Sequence, residues 1–226
     1  EESLALYRDL GDRGRVASSL NSLGLVAQEQ GDYARAAARY QENLTIRRNL
    51  EDRRGIAESL NNLGLVVWSQ GDDAAARSLF EESLSIRREL GDRRGIAASL
   101  GNLGLVAGRQ GDSAAARSLY AESLSIRREL GDRRGIAGLL ESFAILAAQD
   151  QAERAVRLAG AAEALREAIG APRPPADRVR YDRALAAARA AMGEEAFEAA
   201  WAEGAGDDAG AGDRLCFRVT SSQRGA

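Results

Sequence analysis

SLNNLGLVVWSQGDDAAARSLFEESLSIRREL, residues 59–90, decides the fold, because the chain carries it three times in related form. The stretch follows SLNSLGLVAQEQGDYARAAARYQENLTIRRNL (19–50) and precedes SLGNLGLVAGRQGDSAAARSLYAESLSIRREL (99–130), each at a distance of 40 residues. A fixed period in this range marks stacked supersecondary units, each burying an apolar face against its neighbours. Chains built this way usually offer a surface rather than a reaction centre.

One period reads as two helices. Ile56, Leu60, Leu63 and Val67 recur at helical spacing, which predicts a first helix from about Arg53 to Gln70 with one apolar stripe. Gly71-Asp72 ends it: glycine accepts the left-handed conformation that closes a helix, and aspartate caps the next one by accepting from an orphan backbone N–H. A second helix, about Asp73 to Leu90, turns Ala76, Leu79, Phe80, Leu84 and Ile86 inward. The same punctuation stands at Gly11-Asp12, Gly31-Asp32, Gly91-Asp92, Gly111-Asp112 and Gly131-Asp132, and only Glu51-Asp52 departs from it. That turn is expected to be strained or to use another geometry. Gly24, Gly64 and Gly104 sit mid-helix, where glycine costs about 1 kcal/mol relative to alanine. Ala36, Ala76 and Ala116 follow, then Tyr40, Phe80 and Tyr120, which reads as close helix crossing with a ring filling the space.

Composition removes other classes of function. The chain has 226 residues, 29% charged and 45% hydrophobic, with a net charge of −3 and no histidine. Cys216 is the single cysteine, so zinc sites, histidine triads and disulfide frameworks lack their parts, and no cofactor is expected. The charge balance argues against direct nucleic-acid binding, and no apolar run is long enough to span a membrane. The default compartment is the cytoplasm. The paired carboxylates lie on repeated exposed faces without an activating partner, which makes an enzyme the least supported class.

Leu63-Gly64, Ala76 and Phe80, with their counterparts in the flanking repeats, resemble the tetratricopeptide repeat pattern. The resemblance covers residues 1–170 and implies an all-α solenoid of antiparallel helix pairs. Leu20, Leu60 and Leu100 replace the usual tryptophan, and the longer unit with its LNNLG signature is similar to the kinesin light chain subclass. That subclass implies extended second helices and a right-handed superhelix.

The expected organisation is a partial repeat at 1–11, repeats at 12–51, 52–91 and 92–131, and a degenerate repeat at 132–170. Leu140, Phe143, Ala144 and Ala155 keep the frame of the last unit. After Ala171-Pro172-Arg173-Pro174-Pro175, residues 171–204 read as capping helices, the first with Val179, Leu185, Ala188 and Met192 inward, the second carrying Phe197 and Trp201. Residues 205–226 lack periodicity and read as a disordered tail or an altered reading frame. Residue 1 falls in mid-repeat, so a piece of a larger protein is expected. The stretch 157–204 resembles the end of the repeat arm in large bacterial signalling regulators, which join a switch ATPase to an effector module.

In this repeat class the first helices line a concave groove. By that carry-over the groove displays Asn21, Ser22, Leu25 and Gln28, then Glu58, Asn61, Asn62, Leu65 and Trp68, then Asn102, Leu105 and Arg109, and last Glu141 and Ser142. Asparagine both donates and accepts, so a ladder of amides can hold a peptide backbone while the leucines hold its side chains. The plainer reading is a solvated helix face copied by duplication. Trp68 reads either as a binding hot spot or as a ring absorbed between repeats. The pairs Arg47-Arg48, Arg53-Arg54, Arg87-Arg88, Arg93-Arg94, Arg127-Arg128 and Arg133-Arg134 read as surface ion-pair ladders with Asp52, Glu89, Asp92, Glu129 and Asp132, so changing Arg87 or Arg127 should matter little. The absence of lysine disfavours a lysine-rich carboxylate clamp. Two functions remain: a scaffold that binds a protein or peptide partner in its groove, or a structural solenoid whose groove holds the missing part of its own parent chain.

Overall fold

A computed structural model describes residues 1–206; Cys216 and the expected tail beyond Gly206 lie outside the described residues. Among these there are eleven helices and no strand: α1 (Glu2–Asp9), α2 (Arg13–Glu29), α3 (Tyr33–Asn49), α4 (Arg53–Ser69), α5 (Asp73–Glu89), α6 (Arg93–Arg109), α7 (Ser113–Glu129), α8 (Arg133–Ala147), α9 (Ala152–Ile169), α10 (Pro175–Met192) and α11 (Glu194–Gly206). The last helix runs two residues past the expected boundary at Gly204. Consecutive helices pack in pairs, giving the all-α solenoid architecture. The chain divides into two compact units, one ending at Gly111 and one starting at Asp112.

The turns follow from the Gly-Asp pairs. At Leu90 the Gly91 N–H donates to Arg88 O at 3.2 Å and the Asp92 N–H to Arg87 O at 2.9 Å, the two bonds of a Schellman closure. Gly91 has φ 64°. Asp92 then accepts the Gly95 N–H at 3.0 Å and starts α6, so one residue closes one helix and opens the next. Asp12, Asp32, Asp52, Asp72, Asp112 and Asp132 cap their helices in the same way. The turn at Glu51 keeps this geometry rather than adopting another. Its N–H reaches Arg48 O at 3.1 Å, and Glu51 is held at φ 54°, a left-handed conformation that crowds its Cβ.

In the first unit Ala36, Tyr40, Leu44, Leu60 and Val66 pack in one buried cluster, Leu20 packs with Leu4 and Val16, and Ala76 and Phe80 are buried as well. The glycines meet aromatic rings directly: a Cβ on Gly64 would stand 2.6 Å from Phe80 Cε1, and one on Gly24 would stand 2.6 Å from Tyr40 Cε1. Each glycine is therefore the floor under a ring, and its propensity cost is offset by the aromatic burial above it. Burial pushes the Tyr40 hydroxyl up to about 12, although it still donates to Gln28 Oε1 at 3.3 Å.

In the second unit Tyr120 and Phe143 meet edge to face, with ring centroids 5.2 Å apart. Leu140, Phe143, Ala144 and Ala155 are buried, and Gly170 closes α9 at φ 60°. The inward stripe of α10 differs from the expected one. Val179 is 69% exposed, while Tyr181 is buried and donates to Ala159 O at 3.4 Å. Tyr181, Leu185, Ala188 and Met192 form a true 4-3-4 stripe, and Val179 lies two residues, about 200°, away from it. Between α9 and α11 the contact is backbone to backbone: a Cβ on Gly160 would collide with Trp201 O, and one on Gly204 with Arg157 O.

If the left-handed residue carries strain, Glu51→Gly should stabilise the chain by about 0.5–1 kcal/mol, the relief being partly offset by the greater freedom of unfolded glycine. Urea midpoints for this variant and for the reverse change, Gly91→Glu, check it. The first should rise and the second fall, and an unmoved pair would mean that neither turn is sensitive to the Cβ.

Candidate functional site

The expected site residues of the first unit lie on α2, α4 and α6, and direct side-chain bonds join these helices. Asn62 Nδ2 donates to Asn21 Oδ1 at 3.0 Å, and Asn102 Nδ2 donates to Asn61 Oδ1 at 2.9 Å, both pairs being 41 residues apart. The two amides of the Asn-Asn pair thus point to opposite neighbours. Asn21 Nδ2 in turn donates to Glu58 Oε1 at 3.3 Å.

Exposure along the strip varies. Leu25 is 44% exposed, while Asn21, Asn62, Leu65, Trp68, Asn102 and Leu105 are half-buried and Arg109 is exposed. Asn61 is 8% exposed, deeper than a groove-lining residue was expected to be. Its Oδ1 accepts from both Asn102 and Arg87. Arg109 lies over the Trp68 ring at 4.5 Å, donates to Trp68 O at 2.7 Å, and is anchored through Nε to Asp73 Oδ1 at 2.7 Å. The indole is therefore clamped by a cation that is itself held in place. Ser22 is exposed, and Gln28 is half-buried.

Glu141, expected in the groove, is instead buried in the second unit. Its carboxylate receives both Arg166 Nε (2.6 Å) and Nη2 (2.8 Å), together with Arg173 Nε at 2.8 Å. Arg173 also lies over Tyr181, 3.6 Å from the ring centroid. A lone carboxylate at this depth is too costly to leave unpaired, and the arginines come from α9 and the segment before α10, which the local sequence pattern could not connect to it. Ser142 donates to Gly138 O at 3.0 Å.

The arginine pairs divide into two kinds, which corrects the expectation of a uniform surface ladder. The pairs that open the first helices behave as expected, Arg53 reaching Glu89 with both side chains about half exposed. So do the second members of the pairs that end the second helices: Arg48 reaches Glu82 at 2.9 Å, again about half exposed. The first members of those latter pairs do not. Arg47 Nη1 donates to Asp52 Oδ2 at 2.7 Å, and Arg127 Nη1 donates to Asp132 Oδ2 at 2.6 Å. Arg87 goes deeper still, with Nη1 donating to Gly95 O (2.7 Å), Ser99 Oγ (3.0 Å) and Asn61 Oδ1 (3.4 Å) at 7% exposure. Burial pushes this guanidinium below the usual arginine range, against the pull of Asp92 and Glu58. Passage is possible because the neighbour is glycine: a Cβ on Gly95 would stand 2.6 Å from Arg87 Cδ, and one on Gly55 would stand 2.5 Å from Arg47 Cδ. The Arg-Gly-Ile that recurs at the start of α4, α6 and α8 was the sequence signal for this.

Among the described residues no cluster of histidine, cysteine or carboxylate is placed to hold a metal, and no helix is long and apolar enough to cross a membrane. A separate, open apolar depression lies among α3, α4 and α5, lined by Ala37, Ala38, Leu63, Val67, Ala75 and Leu79.

A sequence profile described as "Tetratricopeptide repeat" matches residues 15–89 and 55–129, together just over half the chain. No curated protein matches at a significant level. Among solved structures, the chain is similar to BtubC (BKLC) from P. vanneervenii, with a TM-score of 0.67 and 20% identity, covering 100% of this chain and 89% of that one. It is also similar to a putative kinesin light chain with nearly identical TPR-like repeats from Podosopora anserina, with a TM-score of 0.56 and 15% identity, covering 92% of this chain and 97% of that one. These likenesses concern the fold.

Arg87→Met should destabilise the chain by about 2–4 kcal/mol, since it removes a charged donor from Gly95 O and Ser99 Oγ and leaves Asn61 Oδ1 with Asn102 alone. Arg48→Met should cost less than about 1 kcal/mol because its pair is exposed. Chemical denaturation of both variants decides the matter, and equal losses would return Arg87 to the surface class.

Proposed function

The chain belongs to the tetratricopeptide repeat family, whose members are protein-interaction scaffolds, and on that footing we propose that it binds an uncapped stretch of a partner polypeptide along the strip formed by α2, α4 and α6. The observation that carries this reading is the pair of staggered asparagine bonds. Asn62 and Asn102 each spend one amide proton on the preceding repeat, and their carbonyl oxygens accept from no group among the described residues. Each thus keeps one donor and one acceptor for a peptide unit, in an orientation already fixed by the internal bond. Leu25, Leu65 and Leu105 stand at the equivalent position of each repeat and supply apolar contact beside the amides. Trp68, held by Arg109, adds a rigid aromatic whose ordering cost has been met before any ligand arrives.

The reading is non-enzymatic and needs no cofactor. The proposed setting is the arm of a larger bacterial signalling regulator in the cytoplasm, an assignment that rests on the resemblance of residues 157–204. The partner segment then belongs either to another protein or to the remainder of the parent chain.

Peptides selected from a random display library on the full chain provide ligands for the test. Trp68→Ala and Asn62→Ala should each weaken binding by about 1–3 kcal/mol with helicity retained. Ala38→Glu, in the apolar depression on α3, should leave it unchanged. If Ala38→Glu abolishes binding and the other two do not, the depression is the working surface and the strip is not.

A further inference from the structure

One rung of the asparagine strip carries a charge, and that charge fixes the direction of the amides around it. The Glu58 carboxylate can only accept, so Asn21 must turn its Nδ2 toward it, at 3.3 Å. The other end of the same amide, Asn21 Oδ1, is then what meets Asn62, which donates through Nδ2 at 3.0 Å. What stays unengaged is Glu58 Oε2 and Asn62 Oδ1, on residues one helical turn apart on α4, beside a single Nδ2 proton. Glu58 is exposed and Asn62 half-buried. No cation among the described residues bonds the carboxylate. Arg54, one turn before it on α4, makes no hydrogen bond or ion pair with them, Arg87 directs Nη1 to Gly95 O, Ser99 Oγ and Asn61 Oδ1, and Arg109 is held by Asp73. Nor is Glu58 a residue copied by duplication: Ser18 and Ala98 hold its place in the flanking repeats, so α4 alone carries the acceptor pair among α2, α4 and α6.

Resting on the reading of the strip as a peptide site, we propose that the partner segment is anchored by an arginine side chain laid across Glu58 and Asn62. A planar guanidinium carries N–H donors in a fork and no acceptor, which matches a carboxylate beside a carbonyl and lets one group serve both. A lysine ammonium brings the charge without the fork. A glutamate or a free C-terminal carboxylate would meet two oxygen acceptors and a like charge, so the same pair of oxygens rejects an anionic anchor. Leu65 follows Asn62 by three residues and Leu25 follows Asn21 by four, so both stand about one turn beyond the amides and offer apolar contact to the methylene stem of the arginine.

The test uses the full chain and two dodecapeptide display libraries, random except for a central arginine in one and a central glutamate in the other. The arginine library should yield binders, and the tightest of them, synthesised and titrated by calorimetry, should lose about fivefold or more in affinity on Glu58→Gln. Glutamine can still accept from Asn21, so this variant removes the charge and keeps the rung, with circular dichroism confirming its fold. Glu58→Arg should abolish that binding, and the same peptide with glutamate in place of its arginine should bind Glu58→Arg more tightly than it binds wild type. A glutamate library that yields the tighter binders overturns the arginine anchor. So do arginine peptides indifferent to Glu58→Gln, and if they are still weakened by Trp68→Ala and Asn62→Ala the strip remains the site. Peptides from either library that ignore Glu58, Asn62 and Trp68 alike overturn the anchor and the strip together, as does the failure of both libraries and of the unrestricted one. If only the unrestricted library yields binders, and these depend on Trp68, the arginine anchor falls alone.

Discussion

The structure depends on a carboxylate that serves two helices at once. In Asp52 one oxygen accepts the Gly55 N–H at 2.9 Å and so starts a helix, while the other accepts Arg47 from the helix before, at 2.7 Å. Asp132 does the same with Gly135 at 3.0 Å and Arg127 at 2.6 Å. A cap alone would set where a helix begins but not how it lies against its predecessor. The added arginine fixes both, because the guanidinium must cross the first turn of the new helix to reach the carboxylate. Glycine at the third position of that helix is the steric condition, since any side chain at Gly55 or Gly95 would occupy the arginine's path.

Once the angle between helix pairs is fixed, the faces of the first helices are fixed with it. The asparagine bonds of the first unit are the consequence: side chains 41 residues apart meet at 2.9–3.0 Å only if successive units repeat the same rotation. Arg87 links the two layers, its guanidinium reaching from the turn region to Asn61 Oδ1. Packing, capping and the candidate site therefore share atoms. This also accounts for the tolerance of Glu51 in a left-handed conformation. Seven aspartate caps over-determine the turns, so one strained residue is carried by the regularity of the rest.

Much of this was legible in the sequence, and the remainder was hidden for identifiable reasons. Helix positions followed from the Gly-Asp pairs because turn chemistry is local. The Gly64–Phe80 contact was readable as a close crossing because the same spacing recurs at Gly24 and Tyr40. Arg87 and Arg48 look alike in a string of repeated Arg-Arg pairs, and only the path past Gly95 separates the buried one from the exposed one. Glu141 resembled a groove residue by register, yet its partners Arg166 and Arg173 lie 25 and 32 residues further along the chain. On α10 the many alanines left the stripe ambiguous, so the apolar Val179 was placed inward and Tyr181, which holds the stripe's frame, was not named. For the site, residue types and register were readable, but the internal asparagine bonds were not, because they join side chains across repeats.

The most direct measurement is a double-mutant cycle on the shared carboxylate, with Arg127→Met and Asp132→Asn made singly and together. Asparagine keeps the helix cap while removing the charge, so the cycle isolates the link between helices from the start of the helix. Urea unfolding should give a coupling of about 1–2 kcal/mol, above the roughly 0.2–1 kcal/mol of exposed pairs, since both side chains are less than one-fifth exposed. A coupling below about 0.3 kcal/mol would show that the arginine and the aspartate act independently, and that the carboxylate is a cap and nothing more.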